Sequence, residues 1–360
     1  MKNKLLVVCA AMLSLLSLNL YATEGYKIFA ELEKSTPPGN IAVSSNGRKF
    51  ISIHGFYGHK LKLAELKDDG SVIPYPNETW AHSPKDGIHG LHDVLGLNVD
   101  ENNILWLLDA SSANHAGRLI GWDLNNEKLA KIIHLPKPII TDNSFLNDLA
   151  VDAKSGYIYI ADTAGSEAAI IVVNIKTGSA RRVLQGSKFM VSEDIDMVIE
   201  GRTIELGGAP ARLGVNPITI DPDNKWLYFG AMNGTSIYRI DTKFLRDASL
   251  KDAALSQRIQ RYGTKPISDG ITVDGSGNIY ISSITDGSIG VTQSNGKYKT
   301  LYKSDDISWP DGFAFGPDNK IYLTVNQLHR SPVLNKGKDA SVGKFKVIVF
   351  NSIQAGKTGR

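Results

Sequence analysis

"ISDGITVDGSGNIYIS", residues 267–282, decides the fold, because the chain contains it again in altered spelling. "LNDLAVDAKSGYIYIA" runs from 146 to 161 and "WPDGFAFGPDNKIYLT" from 309 to 324. Each copy is an amide or carboxylate, a short apolar alternation, a turn rich in Gly, Asn and Asp, and a second alternating strand with an aromatic residue in it. Three further stretches follow the pattern: "NIAVSSNGRKFISIHG" from Asn40, "LGLNVDENNILWLLDA" from Leu95 and "NPITIDPDNKWLYFGA" from Asn216. β-Branched and aromatic residues at alternate positions suit a half-buried pleated surface, and turns such as Asp274-Gly275-Ser276-Gly277 or Pro222-Asp223-Asn224 supply the backbone angles of a hairpin.

Most copies run on into a third and fourth strand, as in "AIIVVNIKTGSARRVL" (169–184) and "SIGVTQSNGKYKTLY" (288–302). Four-stranded units recurring about every 40 to 50 residues predict propeller blades rather than a helical solenoid. The expected fold is therefore an all-β, six-bladed β-propeller over residues 23–360. "YKIFAELEK" (26–34) and "KFKVIVFNS" (344–352) predict closure of the ring, with the first strand of the chain completing the last blade. An apolar stripe predicts one peripheral helix over about Thr242–Arg261. The segment from Gln185 to Gly214 lacks the blade pattern and is expected to fold over one face.

Lys2 and Lys4 precede an uncharged apolar stretch, Leu5–Leu20, which predicts a signal peptide over residues 1–22 and export to the periplasm or beyond the cell. The single cysteine, Cys9, lies in that leader, which leaves the remainder no disulfide or thiol chemistry. Forty Lys and Arg against 37 Asp and Glu, without a basic cluster, exclude a nucleic-acid partner, and no second long apolar run predicts a membrane span.

Superposing the six hairpins on their turns puts Asn40, Leu95, Asn147, Asn216, Asp269 and Asp311 at one position, just before the innermost strand of each blade. Innermost strands line the axial channel, so these side chains are expected to meet at its mouth, with Asp93 and Asp148 beside them. Two readings stay open: Asn and Asp cap turns locally, and converging oxygens also suit a hard divalent cation such as Ca²⁺. On the second reading Asn147, Asn216 and Asp269 are metal ligands, and Asp311 or His329 is the acid–base group. Asn40, Asp148, Trp309 and Asn326 are candidate ligand-binding residues. His89, His92 and His115 match no zinc spacing. Trp106, Tyr159, Tyr228, Tyr280 and Tyr322 recur at one repeat position, which reads as packing between blades. Nucleophile-elbow, phosphate-loop and dinucleotide motifs are absent from the sequence.

The stretches above, and most specifically Trp309-Pro310-Asp311-Gly312 followed by Asn326-Gln327-Leu328-His329, make the chain similar to the major royal jelly protein and Yellow family, as a bacterial member. The resemblance implies a six-bladed propeller. It implies less about activity, since members serve as nutritional proteins, as binders of small aromatic amines and as dopachrome-converting enzymes. A more distant likeness is to gluconolactonase and paraoxonase-type propellers, which implies calcium in the channel, although the first-blade Glu expected there is not evident. The expectation is an exported protein that binds a small molecule at the channel mouth. The alternatives are a divalent-metal-dependent lactonase-type hydrolase and a quinone isomerase at the same place, and a protein partner stays open.

Overall fold

A computed structural model describes residues 25–84, 89–110 and 116–359. The expected leader, Cys9 and His115 lie outside the described residues. Six four-stranded antiparallel sheets stand radially around one axis. Blade 1 spans Pro38–Pro74, blade 2 Val94–Leu135, blade 3 Leu146–Val183, blade 4 Val215–Thr264 and blade 5 Ser268–Lys303. Blade 6 takes Pro310–Phe315, Lys320–Val325 and Phe345–Asn351 from the end of the chain and Lys27–Leu32 from its beginning, so the expected closure is present. Every innermost strand touches those of both neighbouring blades, blade 6 against blade 1 included.

Local chemistry explains the hairpins. Asp100, Asp221 and Asp274 open their turns by accepting backbone N–H bonds two and four residues on, or four and five, and Asn103, Asn224 and Gly277 take the left-handed conformation that closes them. The recurrent aromatic on the second strand is buried in every blade: Phe50, Trp106, Tyr159, Tyr228, Tyr280 and Tyr322. Each stabilises a seam between sheets by roughly 1.5–3 kcal/mol. Phe50 occupies the position in blade 1, which the pattern of the other five had left unassigned.

The single helix expected over Thr242–Arg261 is instead two five-residue helices, α1 (Thr242–Arg246) and α2 (Asp252–Ser256), followed by Gln260–Thr264, the outer strand of blade 4. Asp247 breaks the run by accepting from the Ser249 N–H and hydroxyl, and the Arg181 guanidinium takes the carbonyls of Leu245, Asp247 and Leu250 that a continuous helix would have used internally. The apolar stripe still faces inward, with Leu245 and Leu255 fully buried against blades 3 and 4.

Residues 185–214 do cover one face, and they carry structure of their own. Val198–Ile199 pairs with Arg202–Thr203, and Glu205–Leu206 with Ala209–Pro210. Both two-residue turns, Glu200-Gly201 and Gly207-Gly208, have positive φ throughout, as tight hairpins demand. Met197, Ile199, Ile204 and Ala211 pack from this cap onto Met232, Trp309, Leu328 and Leu334 of the blades. Among the described residues no helix is long and apolar enough to cross a membrane.

Candidate functional site at the capped channel mouth

Every innermost strand carries a β-bulge at the same place. Pairing slips between Pro38 and Ile41, Val94 and Leu97, Leu146 and Asp148, Val215 and Ile218, Ser268 and Ile271, and Pro310 and Phe313. This register corrects the ring read from turns. The equivalent first bulge residues are Gly39, Leu95, Asn147, Asn216, Asp269 and Asp311. Asn40 is one place further on, level with Asp148, Gly270 and Gly312. The turns carry the same register: Ser44 and Gly47 close the blade 1 hairpin as Asp274 and Gly277 close that of blade 5, which sets Gly39 level with Asp269, and Asn40 fits the ring position only by residue type.

The bulge also accounts for the repeated Asp-Gly. A Cβ on Gly270 would lie 2.2 Å from the Asp311 carbonyl oxygen, and one on Gly312 would lie 1.9 Å from Asn40 Oδ1. Each glycine thus lets the next blade's bulge close in on the axis. Hydroxyls from the second strands lock the arrangement: Ser52 accepts from the Asn40 N–H and donates to the Leu95 carbonyl, and Ser282 accepts from the Gly270 N–H. Thr324 accepts from the Gly312 N–H and donates to the Gly39 carbonyl of blade 1.

The result is a cavity with a polar floor and an apolar roof. Asn147, Asn216, Asp148, Asp269 and Asp311 form the floor, and Phe56, Phe145, Met197, Leu213, Met232 and Leu328 are among the walls and roof. Phe145 is fixed by its N–H bond to the buried Asp162 carboxylate, which also pairs with Arg182. The space among these residues, counted out to the open solvent at its mouth, is about 680 Å³.

Three carboxylates on one floor oppose one another's ionisation. Asp269 accepts from Asn216 Nδ2 at 2.6 Å on one oxygen and from Trp309 Nε1 at 2.8 Å on the other. Burial pushes its pKa up to about 6, against those two bonds and the pull of Lys265. Lys265, buried beneath, donates to the carbonyls of Met232, Gly234 and Pro266. Asp148 Oδ1 takes the Leu149 N–H at 2.8 Å and Asn40 Nδ2 at 3.2 Å, and burial, with the Asp269 charge adding to it, raises this acid to about 7. Asp311 Oδ2 takes Asn326 Nδ2 at 2.7 Å; burial, then repulsion from Asp269 and Asp148, lifts its pKa well above the carboxylate range. Asp148 and Asp311 each keep one oxygen that no described residue donates to.

The structure therefore brings together Asn40, Asn147, Asp148, Asn216, Asp269, Trp309 and Asp311 around the cavity. Asn326 stands behind Asp311 as its donor. Trp309 is 2% exposed and holds Asp269 with its indole N–H. His329 is separated from the cavity: its ring stacks on the far side of Trp309, 6.1 Å between centroids and 11° between planes, with Nε2 3.3 Å from Glu200 in the adjoining groove between blades 5 and 6. Asp93 lies over Gly55 with Lys62 3.7 Å away, and His89 packs against Trp80. Sequence reading missed His54, which lines the cavity, although it stands at the blade 1 counterpart of Asn326: Ile53 pairs with Pro38 as Val325 pairs with Pro310.

A calcium ion does not fit these donors as they stand. Both oxygens of Asp269 are engaged, Asn216 turns its NH₂ group toward that carboxylate, and blade 1 contributes Gly39 where an acidic ligand was sought. Among the described residues no three His, Cys, Asp or Glu side chains group around a common point that could hold a metal.

Radial sheets, a closed ring and a capped polar-floored mouth define a six-bladed propeller with its site on the axis. The sequence model of the major royal jelly protein family matches residues 93–347, and the chain belongs to that family. It is similar to major royal jelly protein 1 of Apis mellifera, 25% identical over 199 residues that cover 51% of this chain and 44% of that protein. The matched stretch thus spans less than half the length of that relative. Among solved structures it resembles the calcium-binding protein regucalcin from Agrobacterium tumefaciens (TM-score 0.58, 14% identity, 92% of this chain and 96% of that one). It also resembles a gluconolactonase from Xanthomonas campestris (TM-score 0.56, 14% identity, 91% and 90%). At that identity the likeness concerns the fold.

Proposed function

We propose that this chain is an exported binding protein that takes a small molecule into the capped cavity, with a cationic or hydrogen-bond-donating end on Asp148 and Asp311 and an apolar body under the roof. One observation carries the reading: two half-buried acids, Asp148 and Asp311, keep one free oxygen each, in a cavity whose other walls are aromatic and aliphatic. A small cationic amine meets both needs, because its charge relieves the repulsion that burial imposes on the acids. The amine binders within the family support the same class of ligand. The gluconolactonase and calcium-binding neighbours would argue for a metal-assisted hydrolase, but the engaged oxygens of Asp269 count against it and no hydrolytic step follows from the geometry.

A panel of phenethylamine, tyramine and their carboxylate counterparts tests the proposal by calorimetry at pH 7.5. The amines are expected to bind saturably and the carboxylates not at all. Asp311→Asn should weaken the amines at least tenfold. Equal binding of amines and carboxylates would overturn the assignment.

A further inference from the structure

We propose that His54 is a specificity-determining residue of the cavity, presenting a fixed N–H donor that selects ligands carrying an acceptor oxygen such as a hydroxyl, phenol or carbonyl. The inference rests on the small-molecule reading above. His54 follows the second strand of blade 1 directly, and its Nδ1 accepts the Phe56 N–H at 3.2 Å as the N-cap of the short turn Gly55–Tyr57. With Nδ1 accepting, the ring proton sits on Nε2.

That N–H has no acceptor among the described residues, and Nε2 is not one of the sealed, partnerless polar atoms of the interior. It therefore reaches free space, and the space His54 lines is the cavity. Direction follows from blade 1, where Gly39 leaves the ring position without a side chain. The imidazole edge fills in: Cδ2, bonded to Nε2, stands 3.7 Å from where a Cβ of Gly39 would be. His54 thus lies beside the position in blade 1 that Asn or Asp holds in blades 3 to 6.

Burial, reinforced by the neighbouring Lys62 charge, pushes the His54 pKa down to about 3. The ring is neutral at any ordinary pH, so it offers a donor without bringing a cation into a site that favours cations. Asp148 and Asp311 read the donating end of a ligand, and His54 reads an accepting one. A site built to pair a ligand oxygen discriminates against the analogue lacking it, because the donor is then left unpaired.

The test uses two probes that differ only in a phenol hydroxyl, tyramine and phenethylamine, titrated calorimetrically into the full protein at pH 7.5. Wild type is expected to bind tyramine about tenfold tighter. His54→Leu should remove that ratio by weakening tyramine alone. His54→Asn, whose Oδ1 can accept from Phe56 while Nδ2 donates, should restore part of it and keeps the test valid if the leucine variant fails to fold. A tenfold ratio that persists in either a folded His54→Leu protein or a His54→Ala one, or a wild type with no preference, would overturn the role of His54 while leaving the amine site standing. Failure of both amines to bind wild type would overturn the amine site and this role with it.

Discussion

Asp148 shows at the residue scale how the site pays for its chemistry. Its pKa is about 7 in the fold against an ordinary 3.8, so the folded state holds its proton more firmly than the unfolded chain does between those values. Below pH 4 both states are protonated and the fold carries no penalty. Stability is lost as pH rises through the window from 4 to 7, and the penalty is complete above it. Asp148→Asn should therefore stabilise the protein by about 1–3 kcal/mol at pH 8 and leave it unchanged at pH 4, as urea denaturation at the two pH values would measure. A stabilisation equal at both would mean that the acid is not desolvated. Trp309 is the residue whose role the sequence concealed. Its place in the motif was visible, but its left-handed φ of 53° turns the indole inward onto Asp269, and side-chain direction at a strained backbone cannot be read from periodicity.

At the scale of elements, strands, turns and blade boundaries were legible because period-two alternation and turn residues are local signals. The bulges were not, and in blade 1 the ring position holds Gly39, which has no side chain to mark it, while the amide of Asn40 stands one place further on. The helix expected over Thr242–Arg261 failed for a related reason, since the Arg181 guanidinium that caps its broken turn comes from 60 or more residues away in the chain. The bulge makes a direct prediction. Gly312→Ala should cost more than about 2 kcal/mol through its collision with Asn40, and adding Asn40→Ala should recover part of that loss; strict additivity of the two would contradict the close approach. The cap is held differently. Arg202 reaches across to the carbonyls of His329 at 2.7 Å and Leu334 at 3.1 Å, and Glu200 pairs with Arg330. Ile204, Leu206 and Ala211 of the cap line the cavity, so a ligand entering past them is expected to displace the cap. Arg202→Ala should speed both association and dissociation of tyramine severalfold in stopped-flow measurements, with little change in Kd. Unchanged rates would show that ligand enters without moving the cap.

The whole molecule is a device for bringing distant residues to one axis. Asn40 and Gly312 lie at opposite ends of the chain and touch, because the first strand of the chain completes blade 6 and the Thr324 hydroxyl donates to the Gly39 carbonyl. Six seams of buried aromatic and aliphatic side chains hold the blades at fixed angles, while the cap is secured by one smaller apolar cluster and a few polar contacts. That division suits a binder: a preorganised floor and a roof that can yield.

The most direct measurement is a crystal structure of the protein grown with 4-bromophenethylamine, with the bromine located by its anomalous scattering. The account predicts one strong peak inside the capped cavity, near Phe56, Phe145 and Leu213, and a nitrogen within hydrogen-bond distance of Asp148 or Asp311. A bromine peak confined to the outer groove beside His329, or an empty cavity at saturating amine, would contradict it.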